Sequence, residues 1–382
     1  MMNQSLTPRA AFSVTNCICH DQRVQKITEV VGELGCDITI IGRKSGICCE
    51  NDNVPFRTVR FRMIFHKGFL FYKFFNIRLF FHLLFHKYDI LVANDLDTLL
   101  PNFLVSVLKR KTLVYDSHEY FTGVPEIQER PFVKYVWKTI EKSIFPHLKY
   151  VMTVSDSIAL QYMHQYGIRP LTVRNCSRSS AGINGLSAKE IGINPGDIIL
   201  ILQGGGINVD RGGEELIEAI FLTEGVSLII AGSGDVLPVL KKRVTELKLS
   251  DRVKFVPKLQ WSELMRYTKS ADAGLSPDKD TNLNYRYSLP NKLFDYISAG
   301  IPVIAGELPE VAGIIRKYDC GLVIPEITPE TICSAINNLK NNSGLLNKLK
   351  QNAVNASGDL SWEVESVKVR QFYDKIINIP DF

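Results

Sequence analysis

Ser288-Leu289-Pro290-Asn291-Lys292-Leu293-Phe294-Asp295-Tyr296-Ile297-Ser298-Ala299-Gly300-Ile301-Pro302-Val303-Ile304 reads as a loop, a helix, a glycine stop and a buried strand. Pro290 fixes φ and brings no donor, which suits the entry to a helix. Leu293, Phe294 and Ile297 recur at helical spacing and predict an inward stripe. Gly300 can take the C′ position, and Pro302 cannot continue the helix. The N–H groups of Asn291, Lys292 and Leu293 are then orphaned beside one ammonium, the makings of an anion site. Lys292 and Asp295 stand three apart, so both heads can lie on one side of the helix. A ligand with a phosphate near the first and hydroxyls near the second fits this reading.

Outward from this stretch, the same alternation of strand and helix recurs. Ile198–Leu202 predicts a strand, and Gln203–Gly213 a glycine-rich loop opening a helix. Its glycines allow close backbone approach, and Arg211 can meet a phosphate. The spacing is neither a P-loop nor a dinucleotide fingerprint. Further strands are expected at Ser227–Ala231, running into Gly232-Ser233-Gly234-Asp235, at Val253–Val256 with the loop Pro257–Gln260, and at Ala271–Leu275. Helices over 309–316, 328–340 and 344–355 complete this half, and a last helix near Trp362–Ile377 can cross back to the first. Residues 175–196, rich in Ser, Asn, Gly and Pro, read as a linker.

The first half opens with a strand at Ala11–Thr15 and a loop from Asn16 to His20. A helix capped by Asp21 follows, then a strand at Cys36–Ile41: a β-α-β start that predicts a doubly wound parallel sheet. Arg23 reads as a solvated charge. Asp89–Ala93 is a strand ending in Asn94-Asp95-Leu96-Asp97. This D-x-D can hold a metal-bound diphosphate, although a helix cap for Thr98–Leu108 is the plainer reading. Thr112–Tyr115 empties into Asp116-Ser117-His118-Glu119. Ligands of open α/β sheets gather beyond the carboxyl ends of strands, so His118 and Glu119 stand on the working edge. Val151–Val154 and Leu171–Val173 close the sheet.

The segment from Phe56 to Tyr88 holds 12 aromatics and 7 Lys/Arg without one Asp or Glu. Phe69, Tyr72, Phe75, Leu79 and Leu83 share a helical face. Such a mixture suits either a crossover helix with a large apolar face or an amphipathic helix lying on an anionic membrane. Nucleic acid is disfavoured, since no RNA- or DNA-binding signature occurs.

At 382 residues, two domains are expected. A hydrophobic share of 45%, a charged share of 22% and a net charge of +5 are those of a soluble protein. Eight cysteines include no Cys-x-x-Cys, which points to reduced thiols in a cytosol rather than a metal site. Neither a secretory signal nor a bilayer-spanning apolar run is read.

These features resemble the GT-B glycosyltransferases of the family-4 type. The resemblance rests on Asp21–Lys26, Tyr115–Glu119, Asn208–Gly212, Ala231–Asp235 and Ser288–Val303. It implies an α/β fold of two Rossmann-like, doubly wound parallel-sheet domains facing a central cleft. The expected divisions are 1–177, a linker 178–196, 197–360, and a C-terminal helix in 361–382. The implied reaction is a retaining transfer, without metal or cofactor, from a nucleotide sugar to a glycan or lipid-linked acceptor in surface polysaccharide assembly. The implied location is cytoplasmic and peripheral on the inner membrane face, docked through residues 56–88. His118, Arg211 and Lys292 would be catalytic. Gly205, Gly206, Asn208, Gly234, Pro290, Asn291 and Leu293 would line the donor, Lys258 and Leu259 its base, and Asp295 its ribose. Asp95 and Glu119 would lie on the acceptor side. Two departures stand out: Tyr287 occupies the first position of the family's E-x7-E, and Gly206 replaces an expected arginine. A nucleotide-sugar epimerase of the same fold and a non-catalytic nucleotide-sugar binder are the competing readings.

Overall fold

A computed structural model describes residues 7–16, 18, 21–44 and 54–378. The chain divides into two compact units, Met1–Arg174 with Ser366–Phe382, and Asn175–Glu365.

The first unit is built on seven parallel strands: β1 (Arg9–Ser13), β2 (Asp37–Arg43), β3 (Arg57–Phe61), β4 (Ile90–Asn94), β5 (Thr112–Ser117), β6 (Tyr150–Thr153) and β7 (Leu171–Thr172). Their order is β3-β2-β1-β4-β5-β6-β7. β1 is the central strand, with Ala11 opposite Thr39 on one side and Leu91 on the other. Runs such as Ile38–Ile41 are buried throughout, as a sheet covered on both faces requires. Helix α1 (Gln22–Glu33) is capped by Asp21, whose side chain accepts from the Val24 N–H. Helices α2 (Gly68–Phe85) and α3 (Leu96–Lys109) follow β3 and β4.

The second unit carries β8 (Ile198–Gly204), β9 (Val226–Gly232), β10 (Val253–Val256), β11 (Ala273–Ser276), β12 (Val303–Gly306) and β13 (Gly321–Ile324), all parallel, in the order β10-β9-β8-β11-β12-β13. In both sheets the order turns back beside the first strand, between β1 and β4 and between β8 and β11. These are the switch points where ligands of doubly wound sheets bind.

Several expectations are corrected. β3 lies inside the aromatic-basic segment read as helix, and β13 falls where only helices were expected. On α2 the buried stripe is Phe71, Phe75, Leu79 and Leu83, whereas Phe69 is exposed. Residues 178–196 do not hang free. Ser180 donates to the Ser298 carbonyl (2.5 Å), and Ser187 caps a short helix, Ala188–Ile191, with a capping box. The helix Trp362–Ile377 places Tyr373 against Phe12 and Phe372 against Tyr150 in the first unit. Among the described residues, Cys36, Cys320 and Cys333 are free thiols. Cys17, Cys19, His20, Cys48 and Cys49 lie outside the described residues.

Candidate active site

In the second unit, the strand ends converge on a buried charge cluster. Asp278 follows β11 and is 1% exposed. Its carboxylate meets Arg211 Nη1 at 2.8 Å and Lys292 Nζ at 2.9 Å, and accepts from Ser276 Oγ at 2.8 Å. The Arg211 guanidinium also lies over the Tyr285 ring at 3.8 Å, and its Nε is buried without a hydrogen-bond partner. Burial opposes the Asp278 charge, but Lys292 and Arg211 outweigh it and hold its pKa well below the usual carboxylate range. Lys292 is shifted the other way: burial lowers its pKa against Asp278, and Arg211 adds to the lowering. Two cations and one carboxylate leave one net positive charge at the β8/β11 switch point.

Backbone geometry shapes the same edge. The helix Asn291–Ala299 starts at Pro290 without a side-chain cap, so its N-terminal dipole end is open beside Lys292. Gly205 has open space where a Cβ would stand. Gly234 does not: a Cβ there would sit 2.0 Å from the Ile207 carbonyl, because the loops after β8 and β9 lie on one another. Asn208 joins them by accepting from the Asp235 N–H at 3.1 Å. Gly206 is exposed, as is Lys258 beyond β10, while Leu259 is half-buried. The Asn291 side chain accepts from Asn175 Nδ2 at 2.8 Å.

Two side chains do otherwise than expected. Leu293 is fully buried in the core, and its N–H turns back to the Pro290 carbonyl. Asp295 points inward, away from the partner of Lys292. Its carboxylate accepts from Ser177, from Gln203 Nε2 (2.9 Å) and from Trp261 Nε1 (2.9 Å). It is therefore an engaged hub rather than an open ribose acceptor, and it fixes Trp261 at the end of the loop expected to line the base. Tyr287 ends a short helix, Leu283–Tyr287.

In the first unit, His118 stands between two carboxylates, with Asp95 Oδ2 3.6 Å from Nδ1 and Asp116 Oδ2 3.3 Å from Nε2. Asp116 is fully buried and held by Arg23 in a two-point pair, Nε at 2.9 Å and Nη2 at 2.7 Å. Arg23, read as a solvated charge, is thus a buried anchor. Burial disfavours the His118 imidazolium, but Asp95 and Asp116 outweigh it and raise its pKa to about 10. Asp95 stands at the N-cap position of α3, as one reading expected, but its side chain makes no cap hydrogen bond. Its backbone takes φ 62°, ψ 167°, and its carboxylate accepts from the His118 N–H at 2.7 Å. That left-handed backbone costs roughly 1–3 kcal/mol, a strain characteristic of functional edges. Asp97 instead accepts from Thr15 Oγ1. Burial and the neighbouring acids push Asp95 up to about 8 and Asp97 up to about 7, with half-buried Glu119 contributing to both. No group of three or more His, Cys, Asp or Glu with metal-holding geometry occurs among the described residues.

Asp278, Asp116, Arg23 and Trp261 were missed as site residues. The sequence offers a weak sign for two of them, since Asp116 lies in the quoted Tyr115–Glu119 motif and Arg23 in Asp21–Lys26. The others are brought in only by the folding of separate loops.

The model of the family "Glycosyltransferase Family 4" matches residues 22–176, and that of "Glycosyl transferases group 1" matches 188–356. The chain is a GT-B glycosyltransferase of the family-4 type. No curated protein matches it in sequence. Among solved structures, this glycosyltransferase is similar to Anabaena HepE in complex with UDP-glucose, at 13% identity and TM-score 0.76 over 96% of this chain and 99% of that one. WaaG, a glycosyltransferase involved in lipopolysaccharide biosynthesis, is similar at 18% identity and TM-score 0.73 over 97% and 99%. A Listeria monocytogenes protein assigned as a UDP-N-acetylglucosamine 2-epimerase lies further off, at 10% and 0.66 over 97% of each chain.

Proposed function

We propose that this glycosyltransferase takes a sugar from a nucleotide-diphosphate sugar bound to the second unit. It delivers that sugar to a glycan or lipid-linked saccharide recognised by the first. The observation that carries the donor half is the Arg211–Asp278–Lys292 cluster, with its net positive charge and unpartnered Arg211 Nε beside an uncapped helix start. A departing diphosphate gathers negative charge as the glycosidic bond breaks, and fixed cations and N–H dipoles aimed there stabilise that state. The leaving group is thereby neutralised by side chains, so the reaction is proposed to proceed without metal or cofactor. Retention is proposed on the family type, with the new bond formed on the face the diphosphate leaves. Trp261 offers an aromatic face to the nucleobase. His118, as a clamped imidazolium, donates a proton or hydrogen bond rather than acting as a free base.

The part WaaG takes in lipopolysaccharide biosynthesis supports a surface-polysaccharide acceptor, and a cytoplasmic, membrane-peripheral location is proposed with it on the basic, aromatic composition of residues 56–88. The test is Arg211→Ala with Lys292→Ala, assayed for transfer and for UDP binding. Loss of both by a folded protein is expected; near-normal turnover would remove these roles. The epimerase reading has the Listeria likeness behind it. Incubation with nucleotide sugars alone separates the two, since an epimerised product without acceptor would favour it.

A further inference from the structure

Asp95 is held in a backbone conformation that an aspartate ordinarily avoids. It lies between β4 and α3 with φ 62° and ψ 167°. Two other non-glycine residues with positive φ, Arg110 and Asp319, end helices in the ordinary left-handed region, with ψ 45° and 44°. At positive φ, a ψ as extended as that of Asp95 is a region almost reserved for glycine. The hydrogen bonds around it show what the geometry achieves. The Asp95 N–H donates to the Asp116 carbonyl at 2.9 Å, one residue past the end of β4, and the Asp95 carbonyl accepts from the Thr98 N–H at 3.3 Å. The side chain is thereby turned towards the end of β5. Its Oδ1 accepts from the His118 N–H at 2.7 Å, and its Oδ2 lies 3.6 Å from Nδ1 of the same residue. One carboxylate grips both the backbone and the ring of His118. The second distance is too long for a hydrogen bond, so Asp95 attracts the ring without engaging its proton.

We propose that Asp95 is a positioning residue of the transfer reaction: the strained turn at this residue aims its carboxylate at His118, orients the ring and sets a negative charge opposite Nδ1. This rests on the donor role proposed for His118. Strain persists only where the surrounding structure over-determines it, as the three backbone hydrogen bonds do here. Burial also works against this acid and pushes it up to about 8, against the pull of His118. Strain and desolvation both oppose stability, so the benefit of Asp95 lies at the ring. Against the burial that disfavours the imidazolium, Asp95 does most to hold its charge, ahead of Asp116 and Asp21. Asp116 is already committed to Arg23 of α1. Asp97 and Glu119 beside Asp95, and Tyr373 behind Asp116, complete the titratable surroundings. Between about pH 8 and about pH 10, Asp95 is ionised while His118 is still charged, and the pair is fully formed.

The experiment compares Asp95→Asn, Asp95→Gly and Asp95→Ala in the full chain, with nitrogen-15 histidine to follow the imidazole titration and His118→Gln to assign its signal. Asparagine keeps an acceptor for the His118 N–H and deletes the charge. Its His118 should titrate about one unit or more below wild type. The high-pH limb of the transfer rate should move down with it, so that kcat near pH 9 falls on the order of tenfold while UDP binding is unchanged. Asp95→Gly relieves the backbone and should melt about 2–6 °C above Asp95→Ala, the reverse of the usual order of these two residues, while losing as much activity. A His118 titration in Asp95→Asn within about 0.3 unit of wild type overturns the inference. So does Asp95→Ala melting at or above Asp95→Gly, because the turn is then unstrained. Should the asparagine variant misfold, the glycine variant carries the same titration test. Full transfer by His118→Gln removes the role of His118 and this inference with it, whereas loss of transfer by His118→Gln beside an unshifted titration in Asp95→Asn removes this inference alone.

Discussion

Asp278→Asn is the most informative single change, because one carboxylate neutralises two buried cations. At 2.8 and 2.9 Å, and with an effective dielectric near 20, each attraction is about 6 kcal/mol gross. Desolvation consumes much of this, and breaking such a pair from one side typically costs about 3–5 kcal/mol. The second unit should therefore melt roughly 6–20 °C lower. The same change should strengthen UDP binding about tenfold or more, since the diphosphate now finds two uncompensated cations and takes the place of the lost charge. Differential scanning calorimetry with and without UDP measures both effects. Asp280→Asn is the control: Asp280 meets Arg286 at 3.8 Å with both side chains about half exposed, and its loss should cost under about 1 kcal/mol. A Tm within about 2 °C of wild type, with unaltered UDP affinity, would show that Asp278 is not the counter-ion of this site.

The clamp around His118 gives a pH signature. Its pKa is raised from 6.5 to about 10, so its stabilisation is complete below 6.5 and is lost as pH rises towards 10. Denaturant unfolding from pH 6 to 10 should show the first unit weakening by a few kcal/mol, and His118→Gln should flatten that slope. Gly232→Ala should destabilise severely, because its Cβ would lie 1.8 Å from the Gly204 carbonyl at φ +139°. Gly205→Ala, with open space around it, should leave stability within about 1 kcal/mol of wild type while lowering UDP affinity; unchanged affinity would take Gly205 out of the donor site.

The elements that local chemistry dictates were legible in the chain itself. Asp21 caps α1, Ser155 caps the helix after β6, and Gly300 ends the helix Asn291–Ala299 in the left-handed conformation. Each depends only on groups a few residues apart, as does the alternation that implies parallel sheets. Arg211, Lys292 and His118 could also be singled out, because strand ends, glycine loops and helix starts are local signals.

Which partner each charge takes was not legible. Asp278 and Arg211 are 67 positions apart and Arg23 and Asp116 are 93 apart, so the strand order of each sheet decides that they meet. Asp295 has the spacing to stand beside Lys292, yet folding sets it against Gln203 and Trp261. In α2 the residue pattern was apolar nearly all round, and only the sheet underneath selected Phe71 rather than Phe69 for the core. Short-range spacing fixes what a residue can do; the long-range closure of the two sheets decides to what it does it.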